Sequence, residues 1–144
     1  MFVRRYWRTS HSLVGASLVK LVSPGATLTP RLSAALIVHN EERHLGACLA
    51  SLRGVVDEVV VWASGTTDAT VTIAREAGAR VEYRAFDDFS RQKQAALSLA
   101  TGDWVLVIDA DERVTPALAV AIRGALDGDP AVAGFELQRT LTYL

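Results

Sequence analysis

A single cysteine, Cys48, in 144 residues excludes a disulfide within the chain and any multi-cysteine metal cluster. A reducing compartment is its simplest setting. Acidic residues are absent from the first 31 positions, which hold Arg4, Arg5, Arg8, Lys20 and Arg31. Because the net charge is −1, the remaining residues carry −6. A basic arm therefore precedes an acidic region, and the chain as a whole has no bias toward nucleic acid. Long apolar runs are also missing. None reaches the roughly 18–20 residues of a membrane-spanning helix. Lys20 interrupts the apolar stretch Ser12–Val22, and no clean small-x-small cleavage site follows it, which disfavours a signal peptide. No Gly-x-Gly-x-x-Gly follows the first apolar strand, so a dinucleotide-binding fold lacks support. Neither a repeat nor a low-complexity segment is found.

What is present is a globular composition. Half of the residues are hydrophobic and 22% are charged, a balance that builds a core rather than a disordered tail. Residues 1–31 read as a basic leader and linker, with Ser23-Pro24-Gly25 and Thr29-Pro30 as turn signals. Such an arm can touch an anionic membrane surface. Residues 32–144 read as one domain of ordinary size.

Within that domain, apolar runs alternate with helical periodicity. Ala34–Val38 predicts a first strand. Leu45, Cys48, Leu49 and Leu52 recur at i, i+3, i+4 and i+7, an amphipathic helix. Asp57–Ala63 predicts a second strand, and Thr66 or Thr67 can cap a helix that shows Val71, Ala74 and Ala77 to the core. Arg80–Arg84 predicts a third strand and Arg91–Ala100 a helix. Thr115-Pro116 reads as an N-cap with proline at the first helical position, followed by Leu118, Ile122 and Leu126 on one face. Ala133–Thr140 predicts a last strand. Strands alternating with helices imply a mostly parallel α/β sheet with right-handed crossovers.

The chemistry gathers where strands end. Val105-Leu106-Val107-Ile108 runs into Asp109-Ala110-Asp111-Glu112. Strand alternation would point Asp109 and Asp111 to one side. Two carboxylates that close repel unless a cation lies between them, and Mg²⁺ and Mn²⁺ take oxygen ligands together with substrate phosphates. The plainer alternative is that these acids cap the following turn and are solvated. His39-Asn40-Glu41-Glu42 and Ser64-Gly65-Thr66-Thr67-Asp68 end two other strands. In one parallel sheet all three segments reach the same edge, where open α/β sheets bind ligands. The Ser64 loop can offer backbone N–H groups to an anion or simply cap its helix. Trp62 and Trp104 read as core, as does Cys48 on its apolar helix stripe.

With these motifs in hand, the stretch Leu32–Leu144 resembles the family 2 glycosyltransferases of the GT-A, Rossmann-like fold. The resemblance is strongest to the small bacterial enzymes that add glucose to the lipopolysaccharide inner core. It rests on Ile37-Val38-His39-Asn40-Glu41-Glu42, Ala63-Ser64-Gly65-Thr66-Thr67-Asp68, Gln92-Lys93-Gln94, Thr101-Gly102-Asp103-Trp104 and Asp109-Ala110-Asp111-Glu112, in that order. It implies that Asn40, Glu41, Ser64, Asp68, Lys93 and Asp109 bind a nucleotide-sugar donor, UDP-glucose by the resemblance. It implies that Asp111, with Asp109, holds Mg²⁺ or Mn²⁺ on the diphosphate. The acceptor would be a lipopolysaccharide core or another glycan, free or lipid-linked. The location would be cytoplasmic, with the leader able to lie at the inner face of the cytoplasmic membrane.

Two departures stand out. Ala63 occupies a position where the family usually has an aspartate that contacts the donor, and Gln94 one where it usually has asparagine. In addition, inverting transfer needs a base to take the acceptor proton, and no credible candidate lies in these residues. The family's acceptor half follows the strand matched by Phe135–Thr140, so the expectation is a GT-A domain truncated after its metal-motif half and inactive alone. Exposed Phe135, Leu137, Leu141, Tyr143 and Leu144 would then invite self-association. A non-catalytic nucleotide-binding remnant or interaction domain is the alternative. Haloacid-dehalogenase phosphatases also end a strand in Asp-x-Asp, but they want threonine or valine where Arg113 stands, and their motif lies near the domain start.

Overall fold

The computed structural model describes residues 4–5, 16–21, 29–85, 88–128, 132 and 134–137. Its centre is built from the apolar runs. Leu32–Val38 (β3), Glu58–Ser64 (β4) and Trp104–Val107 (β6) lie side by side in parallel, and Arg80–Arg84 (β5) extends the sheet beyond β4. The helices Leu45–Leu52 (α1), Thr70–Glu76 (α2) and Phe89–Leu99 (α3) are the crossovers. Pro116–Leu126 (α4) follows β6. Arg4–Arg5 (β1), Ser17–Lys20 (β2) and Gly134–Glu136 (β7) add antiparallel strands, giving the order β1-β7-β2-β6-β3-β4-β5. This is the mostly parallel α/β sheet that the sequence pattern implies.

Period-two alternation divides the sheet into two apolar faces. Ala34, Leu36, Val38, Val61, Ala63, Trp104 and Leu106 pack with residues of α1, α2 and α4, among them Leu45, Leu52, Ala74 and Ile122. Ala35, Val60, Trp62, Val105 and Val107 pack with α3 through Ala96. Burying one Leu or Val side chain this completely contributes about 1.5–3 kcal/mol, and covering both faces is what a parallel sheet requires.

The segment read as leader differs at Ser17–Lys20, which forms a strand between β6 and β7. Leu18 is fully buried, while Lys20 lies with its ammonium 5.6 Å from the centroid of the Trp104 ring. The lysine that interrupts the apolar pattern thus spends its stem and charge on an aromatic surface at the strand end. Phe135 stacks on Trp104 at 5.6 Å, and Leu137 packs against the same core. The final strand therefore has sheet neighbours on both sides, and Phe135 and Leu137, expected to be exposed, are half-buried. Leu141, Tyr143 and Leu144 lie outside the described residues, as do 138–140 of the expected strand.

Two helix starts also differ. Residue 69 precedes α2, and neither Thr66 nor Thr67 caps it; Asp68 instead accepts the N–H of Thr70 at 3.0 Å. The next helix begins at Phe89 rather than Arg91 because Asp88 caps it, accepting the N–H of Ser90 at 2.7 Å. Phe89 is exposed, so no apolar periodicity marks that start. Ala77 is exposed, and Thr70 takes the buried place beside Ala74. Among the described residues, no helix is long and apolar enough to cross a membrane.

Candidate functional site

The chain runs from β3 to β4 and β5 on one side, then returns to place β6 on the other side of β3. The loops after β3 and β6 therefore diverge, and a crevice forms at this switch point. A cleft of about 600 Å³ opens there, lined by Asn40, Glu41, Glu42, Arg43, His44, Thr67, Asp68 and Asp111. Three strand ends thus contribute to one cavity.

The walls are held by side chain to backbone bonds. Asn40, at φ +52°, accepts the N–H of Thr67 on its Oδ1 at 2.9 Å. Asp68 accepts the amide and hydroxyl of Thr70 on Oδ1 and the amide of Glu42 on Oδ2. Glu42 returns the bond, accepting the N–H of Ala69 at 3.1 Å. The Thr70 hydroxyl in turn accepts the N–H of Glu41 at 2.8 Å. Lost hydration raises the Asp68 pKa, but the bonds from Thr70 and Glu42 outweigh it and hold the carboxyl below its usual 3.8. Asp68 is thus an ionised clasp between the turns after β3 and β4.

The acidic turn is not an extension of its strand. Strand geometry ends at Val107, so alternation does not decide where Asp109 and Asp111 point. The N–H of Glu112 donates to the Asp109 carbonyl at 3.0 Å, closing a turn, and Glu112 Oε2 accepts the N–H of Asp109 at 2.8 Å. Asp111 is exposed on the cleft wall; Asp109 is half-buried and is not among the lining residues. The Cys48 thiol donates to the Asp109 carbonyl at 3.6 Å from beneath. Arg113 donates to the carbonyls of Ala110, Glu112 and His44 at 3.0, 2.6 and 3.0 Å. Arg43, His44 and Thr67 line the cleft, and Glu42, Thr70 and Arg113 brace it, beyond the site residues expected from sequence; the bracing bonds run between segments that only the fold brings together.

Ser64 and Lys93 sit on the other face of the sheet. Ser64 is buried and donates to Gln92 Oε1 at 3.4 Å, and its own carbonyl accepts from His39 Nδ1 at 2.7 Å. Lys93, half-buried, is the neighbour of Gln92 on α3. Neither lines the cleft. Ala63 has no exposed surface and belongs to the apolar cluster with Val38 and Ala74.

Among the described residues, no group of three or more His, Cys, Asp or Glu side chains forms a self-contained metal cage. The acidic turn offers one or two carboxylates, the number that Mg²⁺ uses when phosphate oxygens and water complete its shell. The donor set therefore fits a hard divalent ion that arrives with a phosphorylated ligand.

Residues 33–140 match the family model described as glycosyl transferase family 2. The chain belongs to that family. A lipopolysaccharide core biosynthesis glycosyltransferase, LpsC of Rhizobium meliloti, is 35% identical over 113 residues, covering 75% of this chain and 42% of the relative. A TPR repeat-containing protein of Synechococcus elongatus is 41% identical over 104 residues, 72% of this chain and 26% of that protein. Among solved structures, the glucosyl-3-phosphoglycerate synthase of Mycobacterium tuberculosis in complex with UDP is similar, with TM-score 0.60, 26% identity, and coverage of 76% of this chain and 48% of that one. A structure of the same synthase with Mn²⁺, UDP and phosphoglyceric acid gives TM-score 0.59 at 26% identity, covering 76% and 46%. The family 2 chain described here thus spans less than half the length of these relatives.

Proposed function

We propose that this chain forms the donor-binding part of a family 2 glycosyltransferase that takes a nucleoside diphospho-sugar, UDP-glucose, for inverting transfer to a lipopolysaccharide-core or other glycan acceptor. The observation that carries the reading is the cleft at the switch point, where Asp111 faces the turn Asn40–His44. Support comes also from LpsC, a lipopolysaccharide core glycosyltransferase by name, and from the synthase solved with UDP and Mn²⁺.

In this reading Asp111, with Asp109, would hold Mg²⁺ or Mn²⁺. Bound there, the ion would neutralise charge on the departing diphosphate as the sugar C1–O bond breaks. Asn40, Glu41 and Asp68 would shape the pocket for the nucleoside, with the Asp68 clasp keeping the two turns in register. Ser64, buried against Gln92, would brace the turn after β4 from the α3 face, and Lys93, outside the cleft lining, would add only a point charge toward phosphate. The base that inverting transfer requires is assigned to no residue of this stretch.

Calorimetric titration with UDP-glucose, with and without Mn²⁺, tests the reading. Binding should be metal-dependent, and Asp111→Asn should weaken it more than Glu112→Gln, which keeps an acceptor for the Asp109 amide. Equal effects would remove the metal assignment. No binding of UDP or UDP-glucose under either condition would favour an interaction domain.

A further inference from the structure

Arg113 follows the acidic turn and is exposed, yet its guanidinium makes three bonds to backbone carbonyls. Nη1 donates to the carbonyls of Ala110 and Glu112, and Nη2 to that of His44. The first two flank Asp111. The third lies at the start of α1, 69 residues away in sequence. His44 and Asp111 both line the cleft, so one side chain spans its two walls. The geometry points to Arg113 as a positioning residue: a latch that fixes the metal-carrying turn against the nucleotide-binding turn. The inference rests on the donor-binding reading above, and assigns to that site a residue that acts through carbonyls rather than on the ligand.

Two features separate this role from a direct charge contact. The planar fork suits several carbonyls at fixed angles, which a lysine ammonium on a flexible stem cannot reproduce. The acceptors are also backbone atoms, so loss of the fork frees the turn itself. Residues that orient metal ligands from outside typically change metal affinity by about 10–100-fold when removed.

The test uses the full chain with Arg113→Met and Arg113→Lys. In hydrogen–deuterium exchange without ligand, both variants should show faster exchange in residues 40–46 and 109–114 together, with the β3–β4 core unchanged. In titration, the Mn²⁺ concentration that half-saturates UDP binding should rise about tenfold in both. UDP affinity without metal should stay within about twofold. The latch is overturned if exchange rises only in 109–114, or if Arg113→Lys restores wild-type Mn²⁺ dependence, since charge alone would then suffice. Should the wild-type chain bind no UDP, the donor reading fails while the exchange experiment still decides the latch.

Discussion

Asn40 and Thr67 join the ends of β3 and β4: the carboxamide of one accepts the N–H of the other at 2.9 Å across 27 residues of sequence. Asn40 does this from φ +52°, a left-handed conformation that asparagine tolerates better than most residues. The bond and the backbone shape are separable. Asn40→Gly keeps the conformation and loses the bond; Asn40→Ala loses the bond and must also pay the left-handed strain, about 1–2 kcal/mol. In urea denaturation the alanine variant should unfold earlier than the glycine variant by about 1 kcal/mol. Equal midpoints would mean that the left-handed turn is not what asparagine is there to supply.

Much of this architecture is legible in local pattern. Ile37–Val38 and Val59–Trp62 are apolar on both faces, and the α1 stripe Leu45, Cys48, Leu49, Leu52 is buried in full. Thr115 caps α4 by accepting the N–H of Leu118, as its place before Pro116 implies. The pattern fails where partners are remote. Ser17–Lys20 becomes a strand through pairing with β6, some 87 residues on, and four residues ending in lysine carry little period of their own. The cleft shows the same division. The three strand-end segments are visible as motifs because strands precede them. The clasp of Asp68 and the latch of Arg113 are not, because their partners are backbone atoms whose position only the fold decides.

Cys48 offers a check on the packing beneath the acidic turn. Burial pushes its thiol up to about 11, with Arg113 opposing the shift and Glu112, Asp111 and Asp109 adding to it. Thiolate is the reactive form, and at pH 8 it is scarce as well as enclosed. A thiol reagent at pH 8 should therefore label the native chain slowly and the urea-unfolded chain at once. Rapid native labelling would contradict the closed packing of α1 against the turn.

At the opposite sheet edge, Glu58 should make stability depend on acid. Burial raises its pKa, but hydrogen bonds from the hydroxyl of Ser33 and the amide and hydroxyl of Thr101, with Arg80 nearby, outweigh this and hold it below the usual 4.5. A carboxyl with a depressed folded pKa stabilises above its unfolded value, and that contribution is lost as pH falls through the folded one. Wild type should thus exceed Glu58→Gln in thermal midpoint near neutrality. The gap should narrow as pH drops below 4.5. A gap that stays constant across that range would remove Glu58 from the acid response.

Two glycines give opposite expectations for the same substitution. A Cβ on Gly102 would stand 2.7 Å from Ser33 Oγ, 2.8 Å from the Ser33 N and 2.9 Å from the Arg31 carbonyl oxygen. Two of these are backbone atoms, and the Ser33 hydroxyl is already committed, donating to Glu58 and accepting the Gly102 N–H at 2.9 Å. The strand start cannot move without breaking that network, so Gly102→Ala should destabilise by roughly 1–3 kcal/mol. Gly124, exposed inside α4, has nothing within 4 Å of its added Cβ. There alanine only restricts the unfolded chain and favours helix, so Gly124→Ala should stabilise by roughly 0.5–1 kcal/mol. Chemical denaturation of the two variants side by side checks the sign of each. If Gly102→Ala were neutral, the start of the β3–β6 pairing would have to be looser than its hydrogen bonds imply, and Ser33 would then be the next residue to replace.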